Sequence, residues 1–332
     1  MRRNSAKVNG ITVSYLEAGK GPTLLLCHGF PETGDAWRAQ IPVLAAAGYR
    51  VLAPDLRGFG ASSAPLAIDV YTVFHAVGDL IGLLDTLSIE RAIVVGADWG
   101  ATIAWQLALM RPDRIAGIVA LGVPMMARSP IPPTGLFPRT DDALFYTLYF
   151  QEPGIAEQEL ERDIPATLRK IYYGASGDAG PRCAGDGTPN PFGMVAPARG
   201  MLPDLPDPAQ VPDWLASGLD TAVAAFGQAG FRGALNYYRN LDRNWQLQGS
   251  LDGMQVSVPA LFAVGSRDPG MAIPGMERII ADMPRLVPQL HDTVTVDGAG
   301  HWLHRERPGI VNEVILSFAD TVGADTATCT PA

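Results

Sequence analysis

Short apolar runs alternate with amphipathic stretches along the first third of this 332-residue chain. TLLLCHG (Thr23 to Gly29), YRVLAPD (Tyr49 to Asp55), AIVVGAD (Ala92 to Asp98) and IAGIVALG (Ile115 to Gly122) are each bounded by turn residues. A strand covered by helices on both faces loses its in–out alternation, so these runs predict strands of a parallel sheet. In the intervening stretch YTVFHAVGDLIGLLDTL, Val73, Val77, Leu80, Ile81, Leu84 and Leu87 recur at helical spacing and mark one buried face. Strands alternating with helices predict an α/β fold with right-handed crossovers.

The rhythm breaks after Pro124. Fifteen of the 28 prolines fall between Pro124 and Pro212, and RCAGDGTPNPFG in the same region is too rich in turn residues for regular structure. From about residue 251 the pattern returns: VPALFAVG and TVTVDGAG read as strands, and Glu306 to Val322 as an amphipathic helix. The chain therefore reads as a discontinuous core domain, 1–124 and 251–332, interrupted by an inserted lid at 125–250. The insertion holds 14 of the 26 aromatic residues. Most of these are expected to fill the insertion's own core, and the rest suit a lid that shapes an apolar pocket.

Composition narrows the function by exclusion. The net charge is -9, and no block of Lys and Arg interrupts it, so there is no electrostatic footprint for nucleic acid or an anionic membrane. No apolar run approaches the roughly 18 residues of a membrane span, and the N-terminus has no apolar core of a secretory signal. Cys27, Cys183 and Cys329 are odd in number and far apart, which argues against a disulfide framework or a zinc site and for reduced thiols in the cytoplasm. No metal or cofactor is expected. A homodimer is left open.

The sharpest motif is Gly96-Ala97-Asp98-Trp99-Gly100, between an apolar strand and the helical run ATIAWQLALM. Small residues on either side of a central side chain allow a sharp strand-to-helix turn that exposes a nucleophile at the sheet's carboxyl edge. An Asp capping an ordinary helix N-terminus would look similar. Of the five histidines, His28 suits a structural hydrogen-bonding role, His75 lies in the amphipathic helix, and His291 precedes a strand. His301 follows a strand and a Gly-rich turn, and His304 is the weaker alternative as a base. Asp268 ends a strand in LFAVGSRDPG, one helix and one strand before His301, so both fall at the same sheet edge.

Together, HGFPE, DLRGFGASS, GADWGA, YFQEPG, FRGALNYYRN and GHW resemble the epoxide hydrolases of the α/β-hydrolase superfamily, over about Val8 to Phe318. The resemblance implies an α/β-hydrolase fold, a mostly parallel sheet flanked by helices with a mainly helical lid. It implies Asp98 as nucleophile, Asp268 as acid and His301 as base, with the backbone N–H groups of Phe30 and Trp99 as oxyanion donors. It points to Tyr146, four residues before Phe150, and to Tyr238 before Arg239 as lid proton donors, in preference to Tyr149 and Tyr237. Glu32 would help hold the hydrolytic water, and Phe30, Trp99 and Phe150 would line the pocket. Many relatives carry His where this chain has Ala97, and no catalytic role depends on that position. The loosely patterned segment 174–193 leaves pocket size open.

The implied reaction is cofactor-independent opening of an epoxide to a vicinal diol through an ester on Asp98, with a small hydrophobic epoxide and water as the only partners. A haloalkane dehalogenase shares the Asp nucleophile, but a departing halide needs N–H donors rather than two tyrosines, and many of those enzymes have Asn where this chain has Phe30. A catalytically silent hydrolase-fold binding protein is the rival from another class, but it would be expected to lack one of these groups. A serine esterase fits least, since no Ser occupies the turn.

Overall fold

The apolar runs fold as the interior of an eight-stranded sheet in a computed structural model that describes residues 1–179 and 193–328. In chain order the strands are β1 (Arg2–Val8), β2 (Ile11–Ala18), β3 (Thr23–Cys27), β4 (Arg50–Pro54), β5 (Ala92–Ala97), β6 (Ile115–Leu121), β7 (Leu144–Phe145), β8 (Met194–Val195), β9 (Ala260–Gly265) and β10 (Leu290–Val296). The main sheet runs β1-β2-β4-β3-β5-β6-β9-β10, with β7 and β8 forming a separate two-stranded ladder. From β4 to β10 neighbouring strands are parallel, while β1, β2 and β4 pair antiparallel. Every residue of β3, β5 and β9 is buried, which explains why these strands read as unbroken apolar runs.

Two differences from the sequence pattern occur at the sheet edges. The β1–β2 hairpin shows no apolar run because one face of β1 meets solvent. His291 lies inside β10 rather than ahead of it, on an edge strand whose burial is mostly low, with its ring 5.8 Å from that of Phe318.

Helices cover both faces, and a hydrophobic cluster fills each side of the sheet. The first are α1 (Ile41–Ala46), α2 (Val73–Thr86) and α3 (Trp99–Met110). In α2 the side chains of Val73, Val77, Leu80, Ile81 and Leu84 are buried, and Thr72 caps the helix by accepting from His75 N–H. Near the C-terminus the expected single helix is two, Leu303–Glu306 and Pro308–Thr328, because Pro308 suits a first helical position and cannot continue a preceding turn.

Between β6 and β9 the chain leaves the sheet. It forms α4 (Tyr146–Tyr149), α5 (Ile155–Leu160), α6 (Ile164–Ala175), α7 (Asp213–Ala216), α8 (Leu219–Ala229), α9 (Arg232–Arg239) and α10 (Leu241–Leu247) before re-entering the sheet, after which α11 (Met276–Leu286) precedes β10. Much of the 174–193 segment, together with Cys183 and Cys329, lies outside the described residues. Helix α9 rests directly on the loop after β4. A Cβ on Gly233 would lie 2.6 Å from Gly58 Cα, so only two glycines allow this backbone approach. Around that contact Tyr237 donates to Arg57 O (3.1 Å), Asn240 to Ile68 O (2.7 Å) and Arg232 to Leu66 O (3.1 Å). The loop is itself fixed by a buried, two-pronged Arg57–Asp79 pair with contacts of 2.7 and 2.8 Å. Among the described residues, no helix is long and apolar enough to cross a membrane.

Candidate active site

The strands deliver three candidate groups to one edge. Asp98 sits between β5 and α3 with φ 53° and ψ -120°, a conformation that non-glycine residues rarely adopt. Its neighbours explain how the turn is tolerated. A Cβ on Gly96 would overlap Gly100 O, one on Gly100 would overlap Cys27 O, and one on Gly29 would overlap the Asp98 carboxylate itself. The glycines therefore let α3, β3 and the loop after β3 close around a single side chain.

Asp98 Oδ1 accepts from Phe30 N–H at 2.8 Å, and Asp98 Oδ2 lies 3.4 Å from His301 Nε2. The other ring nitrogen, Nδ1, is 2.9 Å from Asp268 Oδ2. Asp268 is fixed in turn by Gly270 N–H, which donates to Oδ1 at 2.7 Å. The Asp98 and His301 side chains each keep 19% exposure, whereas Asp268 keeps 1%. That gradient suits two groups that meet a ligand and one that only orients its neighbour. Burial opposes charge on His301, but the Asp268 and Asp98 carboxylates outweigh it and raise its pKa well above the usual histidine value. Trp99 N–H opens α3 next to Asp98, in the first turn that an α-helix leaves without intrahelical acceptors.

Over the carboxylate stands an aromatic box. Tyr238 has its ring 5.4 Å from Phe30, 5.3 Å from Trp99, 5.1 Å from Phe150 and 6.0 Å from Tyr146. Burial, followed by the Asp98 charge, raises the pKa of both Tyr146 and Tyr238, so both hydroxyls keep their protons at neutral pH. Their neighbours are engaged elsewhere. Tyr237 donates to Arg57 O, and Tyr149 donates to Glu159 Oε2 at 2.8 Å. Phe150 is 1% exposed and backs the box rather than presenting an open face.

Glu32 is wholly enclosed, and its Oε1 lies 3.3 Å from His304 Nε2 and 3.6 Å from Arg305. Burial opposes its charge, but His304 and Arg305 outweigh that and hold the carboxyl below its usual range. Both contacts fall on Oε1, and Oε2 has no hydrogen-bond partner among the described residues. His304 therefore lies beside Glu32 and not beside Asp98. His75 is half-buried on α2, its Nδ1 2.7 Å from Thr72 Oγ1.

One group had no signal in the sequence pattern. The buried Glu306 carboxylate accepts from Gly300 N–H (2.9 Å), Trp302 N–H (3.1 Å) and Gly177 N–H (2.8 Å), gripping the residues on either side of His301. His301 N–H itself donates to Ala175 O at 2.9 Å. In sequence Glu306 looks like one more charge in HRERP; only the fold turns it inward.

Comparison with known proteins identifies the fold and the family. Residues 22–308 match the alpha/beta hydrolase fold family. Epoxide hydrolase A of Mycobacterium tuberculosis is 44% identical over 315 residues, covering 93% of this chain and 94% of that protein. The chain belongs to the epoxide hydrolases of the α/β-hydrolase fold. Epoxide hydrolase 3 of Siraitia grosvenorii is a further relative, 40% identical with 93% and 95% of the two chains covered. Among solved structures, an epoxide hydrolase from an endophytic Streptomyces superposes with a TM-score of 0.91 at 36% identity, covering 97% of this chain and 96% of that one. Epoxide hydrolase A from Mycobacterium thermoresistibile gives 0.86 at 40% identity, covering 96% and 97%.

Proposed function

We propose that this epoxide hydrolase converts an epoxide to a vicinal diol without a cofactor, through a covalent ester on Asp98, with Asp98, Asp268 and His301 as a catalytic triad and residues 125–250 as its cap. One observation carries the reading. A carboxylate at a strained strand-to-helix turn has one oxygen on a backbone N–H and the other facing an Asp-supported histidine, beneath two protonated tyrosines.

In the first step Asp98 Oδ2 attacks a ring carbon, forming a C–O bond as the ring C–O bond breaks. The ring oxygen keeps that electron pair and takes a proton from Tyr146 or Tyr238, whose high pKa leaves the proton in place until an alkoxide develops. Ester formation removes one of the two carboxylates that raise the His301 pKa, so the imidazolium gives up its extra proton to solvent, to be regained when the Asp98 carboxylate is restored, and the neutral imidazole can act as a base. His301 then takes a proton from water, and the hydroxide adds to Asp98 Cγ. The developing charge falls on Oδ1, where Phe30 N–H already sits and Trp99 N–H is adjacent. Collapse breaks the Cγ–O bond to the substrate, and His301 returns its proton to the departing oxygen. The Asp98 carboxyl then gives its proton back to the tyrosinate. Glu32 is assigned to water positioning, supported by an enclosed carboxylate two residues beyond Phe30 whose Oε2 has no hydrogen-bond partner among the described residues.

The test offers aryl and alkyl epoxides beside haloalkanes of matching size to the wild type, Asp98→Ala and His301→Gln, scoring diol, free halide and protein mass. Diol from the wild type, none from Asp98→Ala, and a stable mass adduct in His301→Gln are expected. Halide without diol would move the assignment to a dehalogenase, and wild-type diol formation by Asp98→Ala would overturn the nucleophile.

A further inference from the structure

The peptide unit joining Gly29 to Phe30 is held at both ends. Its N–H donates to Asp98 Oδ1 at 2.8 Å. Its carbonyl accepts from Glu32 N–H at 3.0 Å and lies 2.9 Å from His28 Nδ1. On the far side of the His28 ring, Leu56 N–H donates to Nε2 at 3.0 Å. That donor requires a lone pair on Nε2, so the proton sits on Nδ1 and is donated to Gly29 O. The ring is 0% exposed and packs edge-on against Phe59 at 4.8 Å, and both nitrogens are occupied. It therefore cannot serve as a base toward a substrate.

We propose that His28 is a positioning residue, neutral and protonated on Nδ1, that fixes the peptide plane aiming Phe30 N–H at Asp98 and thereby accelerates hydrolysis of the ester. An amide is planar, so holding the carbonyl fixes the direction of the N–H. Donors on the carbonyl also polarise the amide and strengthen the hydrogen bond that its N–H donates. Burial lowers the pKa of His28, against the pull of Gly29 O and the nearby carboxylates, and this keeps the ring neutral.

The proposal rests on Asp98 being the nucleophile, and it separates the two half-reactions. Oδ1 loses charge as Oδ2 alkylates, then gains charge when hydroxide adds to Cγ. A donor on Oδ1 therefore stabilises the resting carboxylate in the first step and the transition state in the second. Loosening the Gly29–Phe30 peptide should leave alkylation unchanged or faster and slow hydrolysis.

Rapid-quench single turnovers would time ester formation and ester loss in the wild type, His28→Asn and His28→Leu. Asn keeps an N–H donor near the Nδ1 position, whereas Leu keeps none. Ester loss should slow by about 10-fold to 100-fold in His28→Leu, with the ester accumulating, and Asn should recover most of the rate. Nitrogen-15 NMR of labelled wild-type protein should find Nδ1 protonated and Nε2 bare at pH 7, a readout that needs no variant to fold. Equal slowing of both steps, unchanged ester loss, or a proton on Nε2 would overturn the role of His28. A wild type that forms no ester would instead sink the reading of Asp98 on which the proposal stands.

Discussion

Replacing Gly100 with Ala tests how tightly the strand-to-helix turn controls the chemistry. The added Cβ would overlap Cys27 O and lie 2.8 Å from His28 O, and both are backbone atoms that no side-chain rotation can clear. Restoring ordinary contact demands a displacement of about 1 Å between the start of α3 and the end of β3. Asp98 travels with α3 and Phe30 with the β3 loop, so their 2.8 Å hydrogen bond would stretch beyond useful length. Misplacement on this scale costs on the order of 100-fold in rate, and loss of an oxyanion donor costs at least as much. The fold should fare better. Ala in place of Gly favours helix by up to about 1 kcal/mol, against an overpacking cost of about 1–3 kcal/mol. Gly100→Ala should therefore stay folded by circular dichroism while single-turnover ester hydrolysis falls about 100-fold. A folded variant that hydrolyses its ester within about threefold of the wild-type rate would refute the claim that this contact sets the carboxylate's position.

Other outcomes follow from the same geometry. Asp268→Asn removes the larger of the two carboxylate contributions that raise the His301 pKa, so the acid limb of the hydrolysis pH profile should move to lower pH as its maximum falls; a limb that stays put or rises would contradict that electrostatic account. Tyr238→Phe and Tyr146→Phe should each slow alkylation in rapid quench, by about 10-fold to 1,000-fold, while leaving ester hydrolysis closer to wild type; unchanged alkylation in both would remove them as donors. Arg57→Leu leaves the buried Asp79 without its partner and should cost about 3–5 kcal/mol in urea unfolding, and a loss below about 1 kcal/mol would mean that the pair contributes little.

What the sequence revealed depended on how each group is buried. Strands β3, β5, β6 and β9 announced themselves because helices cover both faces, and the glycines around Asp98 because the turn has no room for side chains. The positions of Asp268 and His301 could be read because each follows a strand, and parallel strands bring such ends to one edge. The β1–β2 hairpin was silent, since a half-exposed antiparallel edge needs no apolar run. Glu32, His304 and Glu306 were harder still. Charged residues in a polar stretch look solvated, and only long-range folding shows that His304 pairs with Glu32 and that Glu306 grips the His301 loop. The choice of Tyr238 over Tyr237 came from the family pattern. Neighbouring residues in a helix point about 100° apart, and only packing shows that Tyr237 turns to Arg57 while Tyr238 meets Trp99.

The glycine-to-glycine contact under α9 makes the two tyrosines mechanically unequal. Tyr238 rides on a helix whose backbone lies against Gly58 and is tied by hydrogen bonds to the loop after β4. Tyr146 stands instead on the four-residue α4, next to the β7–β8 ladder, with its N–H donating to Gly193 O. The end of α4 is in turn joined to α9, by Arg239 donating to Phe150 O (3.0 Å) and Gln151 donating to Tyr238 O (2.9 Å), so Tyr146 reaches the core through the helix that carries Tyr238. A change in the chain joining β7 to β8 would therefore reach Tyr146 first, and Tyr238 only through those two hydrogen bonds.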